Sequence, residues 1–276
     1  MYLNKTILNL KMSSPTTNDI EIQELNPDMI APITSRFRDK GYNGGCKLVV
    51  VGKPGTGKST LITALLYSKK HIFPVGVAMS GSEDTNHAYK AIMPSTFVFN
   101  EYNEEKIKDV IKRQKLAHKH LPNPWCVLIL DDCTDDPRIF NKPLQHALYK
   151  KGRHYKLLYI LSLQYAMDVK PVIRTNVDGI FILREPLLKN RESLYKNYAS
   201  IIPDFKTFCE IMDQLTNDYT ALYIHGAGQT NTWQECVFYW KAPVVPEGWK
   251  FGCEDYWDFH KARFNPEHPT KSMGEF

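Results

Sequence analysis

Eight consecutive residues, Gly52–Ser59 (GKPGTGKS), fit the spacing G-x-x-x-x-G-K-[ST]. Glycines at this spacing let successive backbone N–H groups converge on one anion, in a concavity that side chains would fill. Lys58 supplies a point charge for β- and γ-phosphates, and the Ser59 hydroxyl a ligand for Mg²⁺. The cradle comprises Gly52, Lys53, Pro54, Gly55, Thr56, Gly57, Lys58, Ser59 and Thr60. The chemistry implied is binding of a nucleoside triphosphate.

Two further groups could act on that triphosphate. The run Cys126–Asp132 (CVLILDD) ends in paired acids. Asp131 is placed to hold Mg²⁺, because a parallel sheet collects ligands at the carboxyl ends of its strands. Asp132, one residue on, can orient or deprotonate an attacking water. In Tyr159–Gln164 (YILSLQ), Ser162 and Gln164 end the next strand. Gln164 is the better placed to touch the last phosphate, being the final residue before the chain leaves the sheet.

These groups need strands to aim them. The run Leu48–Val51 leads into the loop, and a helix over Ser59–Lys69, apolar at Leu61, Ile62, Leu65 and Leu66, points its positive end at the phosphates. Strand-like runs follow at His71–Ser80, Ser95–Asn100, Trp125–Leu130, Lys156–Gln164, Asp178–Arg184 and Asp218–His225. Helical patterns lie near Glu104–His120 (with Ile107, Val110, Ile111 and Leu116 apolar), Leu187–Tyr198 and Asp204–Leu215. Alternation of this kind predicts an α/β fold, a doubly wound, mainly parallel sheet of the P-loop NTPase (RecA-like, ASCE) type. Residues 1–40 read as an arm or edge element, 41–243 as the ATPase domain, and 244–276 as an aromatic-rich extension.

At 276 residues with 43% apolar and 24% charged content, the chain has ordinary globular composition. Its longest apolar runs, Cys126–Leu130 and Leu157–Leu161, are too short to span a bilayer, and no secretory leader is legible. Six cysteines without a C-x-x-C pair argue against a zinc ribbon or disulfide scaffold. His118 and His120 read as a solvated helix end. The net charge is only +5, yet Asn141–Lys156 carries Lys142, Lys150, Lys151, Arg153 and Lys156 without one acid. That pattern suits phosphate contacts to duplex DNA, or an ordinary solvated face. The guanine-reading motif N-K-x-D fails at Asn141–Leu144 and no Leu-Ser-Gly-Gly-Gln run exists, which argues against a GTPase and a transporter-type ATPase. A nucleotide kinase, or a nucleotide-dependent switch, would use the same loop without moving DNA.

From Lys47 to about Lys241 the chain resembles the DNA-packaging ATPases of large double-stranded DNA viruses, the poxvirus-type branch of the FtsK–HerA superfamily. The carrying motifs are Gly52–Ser59, Leu128–Asp132, KGRH at Lys151–His154, Tyr159–Gln164 and VIRTNVD at Val172–Asp178. The resemblance implies an ATP- and Mg²⁺-dependent, DNA-translocating ring oligomer. In it Lys58 and Ser59 contact phosphate and metal, Asp131 the metal, Asp132 the water, and Gln164 senses the γ-phosphate. It also implies an arginine inserted into a neighbour's site, for which Arg153 and Arg174 are both candidates. Capsid, portal or membrane-vertex proteins would be partners, and the virion or the cytoplasmic assembly site of an infected cell the location. Adenine preference rests on the resemblance and the missing guanine motif.

Overall fold

The computed structural model describes residues 7–10, 20–33, 46–133, 136–165, 171–227 and 230–265. The remainder of the 1–40 arm and residues 266–276 of the extension lie outside the described residues. In chain order the first elements are β1 (Ile7–Leu10), β2 (Ile20–Glu24), β3 (Cys46–Val51), α1 (Lys58–Ser68), β4 (Val75–Ser80), α2 (Glu83–Asn86) and β5 (Val98–Phe99). Then come α3 (Glu104–His120), β6 (Cys126–Asp131), α4 (Pro143–Lys151), β7 (Leu157–Leu163), α5 (Pro171–Arg174) and β8 (Gly179–Ile182). The last are α6 (Leu188–Leu194), α7 (Phe205–Leu215), β9 (Thr220–His225), β10 (Val237–Lys241) and α8 (Glu254–Arg263).

Strands whose residues are apolar on both faces must be covered on both faces, and β3, β6, β7 and β8 are buried along their whole length. Among the described residues, ten strands form one sheet in the order β1-β2-β10-β9-β8-β3-β7-β6-β4-β5. The run from β8 to β5 is parallel throughout. Strand β7 follows β6 in sequence but lies between β3 and β6 in space. Register pairs Val51 with Leu163 and Asp131 with Ser162, so these strands end at one level. That shared rim is where a parallel sheet binds ligands.

Several expectations need correction. β10 was absent from the strand pattern; β9 runs antiparallel to both β8 and β10, while β10 pairs in parallel with β2, which carries antiparallel β1 at that edge. The run from His71 becomes strand only at Val75, after a turn closed by Pro74. Ser95–Asn100 reduces to a 3-10 turn and the two residues of β5. In α3, Leu116 is exposed, while Gln114 and Ala117 complete the inner face with Ile107, Val110 and Ile111. The reason is angular: 107, 110, 111, 114 and 117 fall on one helical stripe, and 116 does not. Buried Gln114 spends its amide on the carbonyls of Pro124, Tyr155 and Lys156, fastening α3 beneath β6 and β7.

Beyond Pro243 the chain packs beside β4. The Tyr256 hydroxyl donates to the Gly76 carbonyl at 2.6 Å, and its ring stacks on Phe97.

Candidate active site

The P-loop is tied to the sheet rim at its first residue, where the Gly52 N–H donates to the Leu163 carbonyl at 3.1 Å. Thr56 closes the loop on itself, its N–H and hydroxyl both donating to the Lys53 carbonyl. Gly57 stands at the N-cap of α1 and offers no side-chain cap. The first N–H groups of a buried-strand-to-helix junction are thereby left for an anion. Lys58 is buried; its Nζ donates to the Gly52 carbonyl at 2.9 Å and lies 3.4 Å from Asp132 Oδ2. An arriving phosphate competes with both contacts.

Asp131 ends β6 and Asp132 follows it at the same rim. The Ser59 hydroxyl donates to Asp131 Oδ2 at 2.8 Å across 72 residues of sequence. Asp132 takes a left-handed backbone, φ 48°, which turns its carboxylate away from Asp131 and toward Lys58. The turn needs Gly81 beside it. Its N–H donates to the Asp131 carbonyl, and a Cβ there would lie 2.2 Å from the Asp132 carbonyl oxygen.

Gln164 follows Leu163, whose carbonyl holds Gly52, so its backbone leaves the sheet next to the start of the loop. Its half-buried amide makes no hydrogen bond among the described residues. Lys58, Ser59, Asp131, Asp132 and Gln164 thus share one rim.

Residues 48–135, from β3 to just past the paired acids, match the model of the ATPase family associated with various cellular activities (AAA). Over 257 residues the chain is 50% identical to protein 075L of Invertebrate iridescent virus 6, covering 91% of this chain and 98% of that one. Protein 015R of Frog virus 3 is 38% identical over 234 residues, covering 82% and 71%. The chain is a P-loop ATPase of the family to which these viral proteins belong. Its fold is shared with the DNA-packaging ATPase B204 of Sulfolobus turreted icosahedral virus, with TM-score 0.51 at 18% identity over 74% of this chain and 100% of that one.

In this ATPase the donors around Asp131 suit a hard cation. A serine hydroxyl and a carboxylate meet, and Asp131 Oδ1 is buried without a hydrogen-bond partner, as is the Ser162 hydroxyl on the adjacent strand. Mg²⁺ binds through one or two such groups plus substrate phosphates. It does not require a cluster of three His, Cys, Asp or Glu, and none occurs among the described residues.

A residue that sequence reasoning missed completes the carboxylate's surroundings. Tyr89, fully buried, donates its hydroxyl to Asp131 Oδ2 at 2.8 Å. Burial, and then the neighbouring Asp131 charge, push the phenol well above its ordinary value, so it stays a protonated donor. Tyr89 is in turn seated by buried Glu83, whose carboxylate accepts from the N–H groups of Tyr89 and Lys90. No motif signals this contact, since it joins positions 42 residues apart.

Arg153 and Arg174 are not brought to this rim. Arg153 is ion-paired to Asp178, whose other oxygen accepts the Lys47 N–H at the amino end of β3. Arg174 closes α5 four residues earlier than Asp178. At about 3.3 Å per strand residue, the Lys47 end lies roughly 16 Å from Gly52. The acid-free segment also finds acids elsewhere: Lys142 pairs with Glu104 and Arg153 with Asp178, while Lys156 lies over the Trp125 ring. Lys150 and Lys151 stay exposed.

Proposed function

We propose that this ATPase is a motor subunit that hydrolyses ATP to drive double-stranded DNA into a viral capsid. The observation that carries the reading is the convergence of Lys58, Ser59, Asp131 and Asp132 on one sheet rim. Membership of a viral family and a fold shared with a packaging ATPase support the choice of motor over kinase.

The loop N–H groups and Lys58 bind the triphosphate, Lys58 turning from Gly52 and Asp132 to the phosphates. Ser59 and Asp131 would hold Mg²⁺, which when bound neutralises charge on the β- and γ-phosphate oxygens. Asp132, released from Lys58, orients a water in line with the γ-phosphorus and accepts its proton as the bond to the β-bridging oxygen breaks. The products are ADP and phosphate. Gln164 touches the γ-phosphate or this water and reports its departure to β7. Arg153 and Arg174 lie toward the amino-terminal ends of the central strands, the end opposite this rim, so either serves only a neighbouring subunit's site, as a ring permits. Lys150 and Lys151 contact DNA phosphates without reading bases, which lets the strand slide.

ATP turnover of the purified protein with and without duplex DNA, alongside mass by light scattering, tests the reading. A motor gives DNA-stimulated hydrolysis by a ring-sized assembly. A DNA-indifferent monomer that phosphorylates a nucleoside or nucleotide acceptor would overturn it in favour of a kinase.

A further inference from the structure

The chemistry above leaves unused a cavity of about 250 Å³ that opens directly beside the P-loop. Gly55 and Thr56 form one wall, Arg184 after β8 another, and the Asn217–Thr220 turn leading into β9 the third. It lies on the β8–β9 side of β3. The acids and Gln164 come from β6 and β7 on the other side. A triphosphate whose last phosphate faces the acids therefore directs its nucleoside toward this cavity.

The third wall is built around Tyr219. Asp218 and Tyr219 are successive non-glycine residues in left-handed conformation, φ 51° and 59°. A tyrosine in that region is uncommon and costs free energy that the surroundings must supply. Here the Asp218 carboxylate is held by Lys241, and the Thr220 N–H donates back to the Asn217 carbonyl. The result is a ring laid against the P-loop. Its Cδ1 would be 3.1 Å from a Cβ on Gly57, and the residue remains 66% exposed. Thr216 and Asn217 use their side chains on the end of α7, donating to the Met212 and Asp213 carbonyls. That leaves a flat aromatic face and the exposed Arg184 guanidinium, which no described acid pairs, as the recognition elements of the cavity.

We propose that this cavity receives the base of the bound nucleoside triphosphate, with the Tyr219 ring stacked on it and Arg184 beside the sugar-phosphate. The assignment rests on the P-loop reading above. A stacking face accepts any base and favours the larger purine surface, so the site binds ATP and GTP more tightly than CTP or UTP.

Calorimetric titration with ATP and with inorganic tripolyphosphate, on the full chain and on Tyr219→Ala, Tyr219→Phe and Lys58→Ala, tests the proposal. Tyr219→Ala is expected to weaken ATP about tenfold, the scale of one base–aromatic stack, and to leave tripolyphosphate within about twofold. Tyr219→Phe keeps the ring and retains ATP affinity. If Tyr219→Ala binds ATP as tightly as the parent while Lys58→Ala loses both ligands, the base site is wrong and the P-loop reading stands. Equal loss of both ligands in Tyr219→Ala would also overturn the base site, making the ring a prop for the loop. If the parent chain binds neither ligand, the P-loop reading fails and the base site with it.

Discussion

Tyr89→Phe isolates one hydroxyl. The ring stays, so no cavity opens in the core, and the change removes the 2.8 Å hydrogen bond to Asp131 Oδ2 together with the hydroxyl's interaction with Ser59. Ser59 then remains as the one described donor to that oxygen, while Asp131 Oδ1 already lacks a partner. A buried hydrogen bond to a charged acceptor contributes about 1.5–3 kcal/mol, so urea unfolding without Mg²⁺ is expected to show a loss near 2 kcal/mol. The raised phenol value sets the pH course. The folded state keeps the proton that the unfolded tyrosine loses near pH 10, so the contribution is complete below pH 10 and falls above it. The functional consequence is separate. Groups that orient a metal-binding carboxylate typically change metal affinity or activity by about 10–100-fold. ATP turnover measured against Mg²⁺ concentration should shift its half-saturation upward by at least about tenfold in the variant. A folded Tyr89→Phe protein whose Mg²⁺ dependence and turnover stay within twofold of the parent would refute the claim that Tyr89 positions Asp131.

Asp132→Asn keeps the size of the side chain and removes the base. ATP affinity should persist, while single-turnover hydrolysis drops by about 10²–10⁴, and normal turnover would remove Asp132 from the water-activating role. Replacing Lys150 and Lys151 together by Gln should lower the slope of log DNA affinity against log salt by about 1.8, with Arg153 left to hold Asp178. An unchanged slope places the DNA contact elsewhere. Lys69 is fully buried, its Nζ donating to the Pro32 carbonyl at 3.0 Å, and burial lowers it to about 8. Because the folded state releases this proton before the unfolded state does, stability rises with pH between about 8 and 10.5. Lys69→Met should abolish that rise and be more stable at pH 7 by about 2 kcal/mol in denaturant titration, the gain from removing the buried charge less one hydrogen bond.

What was legible in the sequence is what contiguous residues decide among themselves. The strand–loop–helix at Cys46–Ser68 follows from an apolar run, glycines at set intervals and an amphipathic continuation, all within 23 residues. The fold class followed from alternation of strand and helix. The adjacency of Asp131 and Asp132 was likewise local, though their divergence depends on a left-handed turn at Asp132 that Gly81, 51 positions earlier, makes room for. Placement of Leu116 on the inner face of α3 failed because neighbouring stripes on one helix differ by a rotation that composition leaves open.

Tertiary structure alone decided which strands became neighbours, and through them which side chains share the site. Insertion of β7 between β3 and β6 brings Ser162 beside Asp131 and Gln164 beside Gly52. Tyr89, Gly81 and Tyr219 reach the nucleotide rim from segments that carry no motif, and Glu104 and Asp178 pair with cations of a stretch that contains no acid of its own. Strand order is set by how the strands and the helices that cover them bury their apolar faces together, a balance over the whole chain. A local pattern specifies a ribbon and the chemistry at its tip, but it does not specify which ribbon lies alongside.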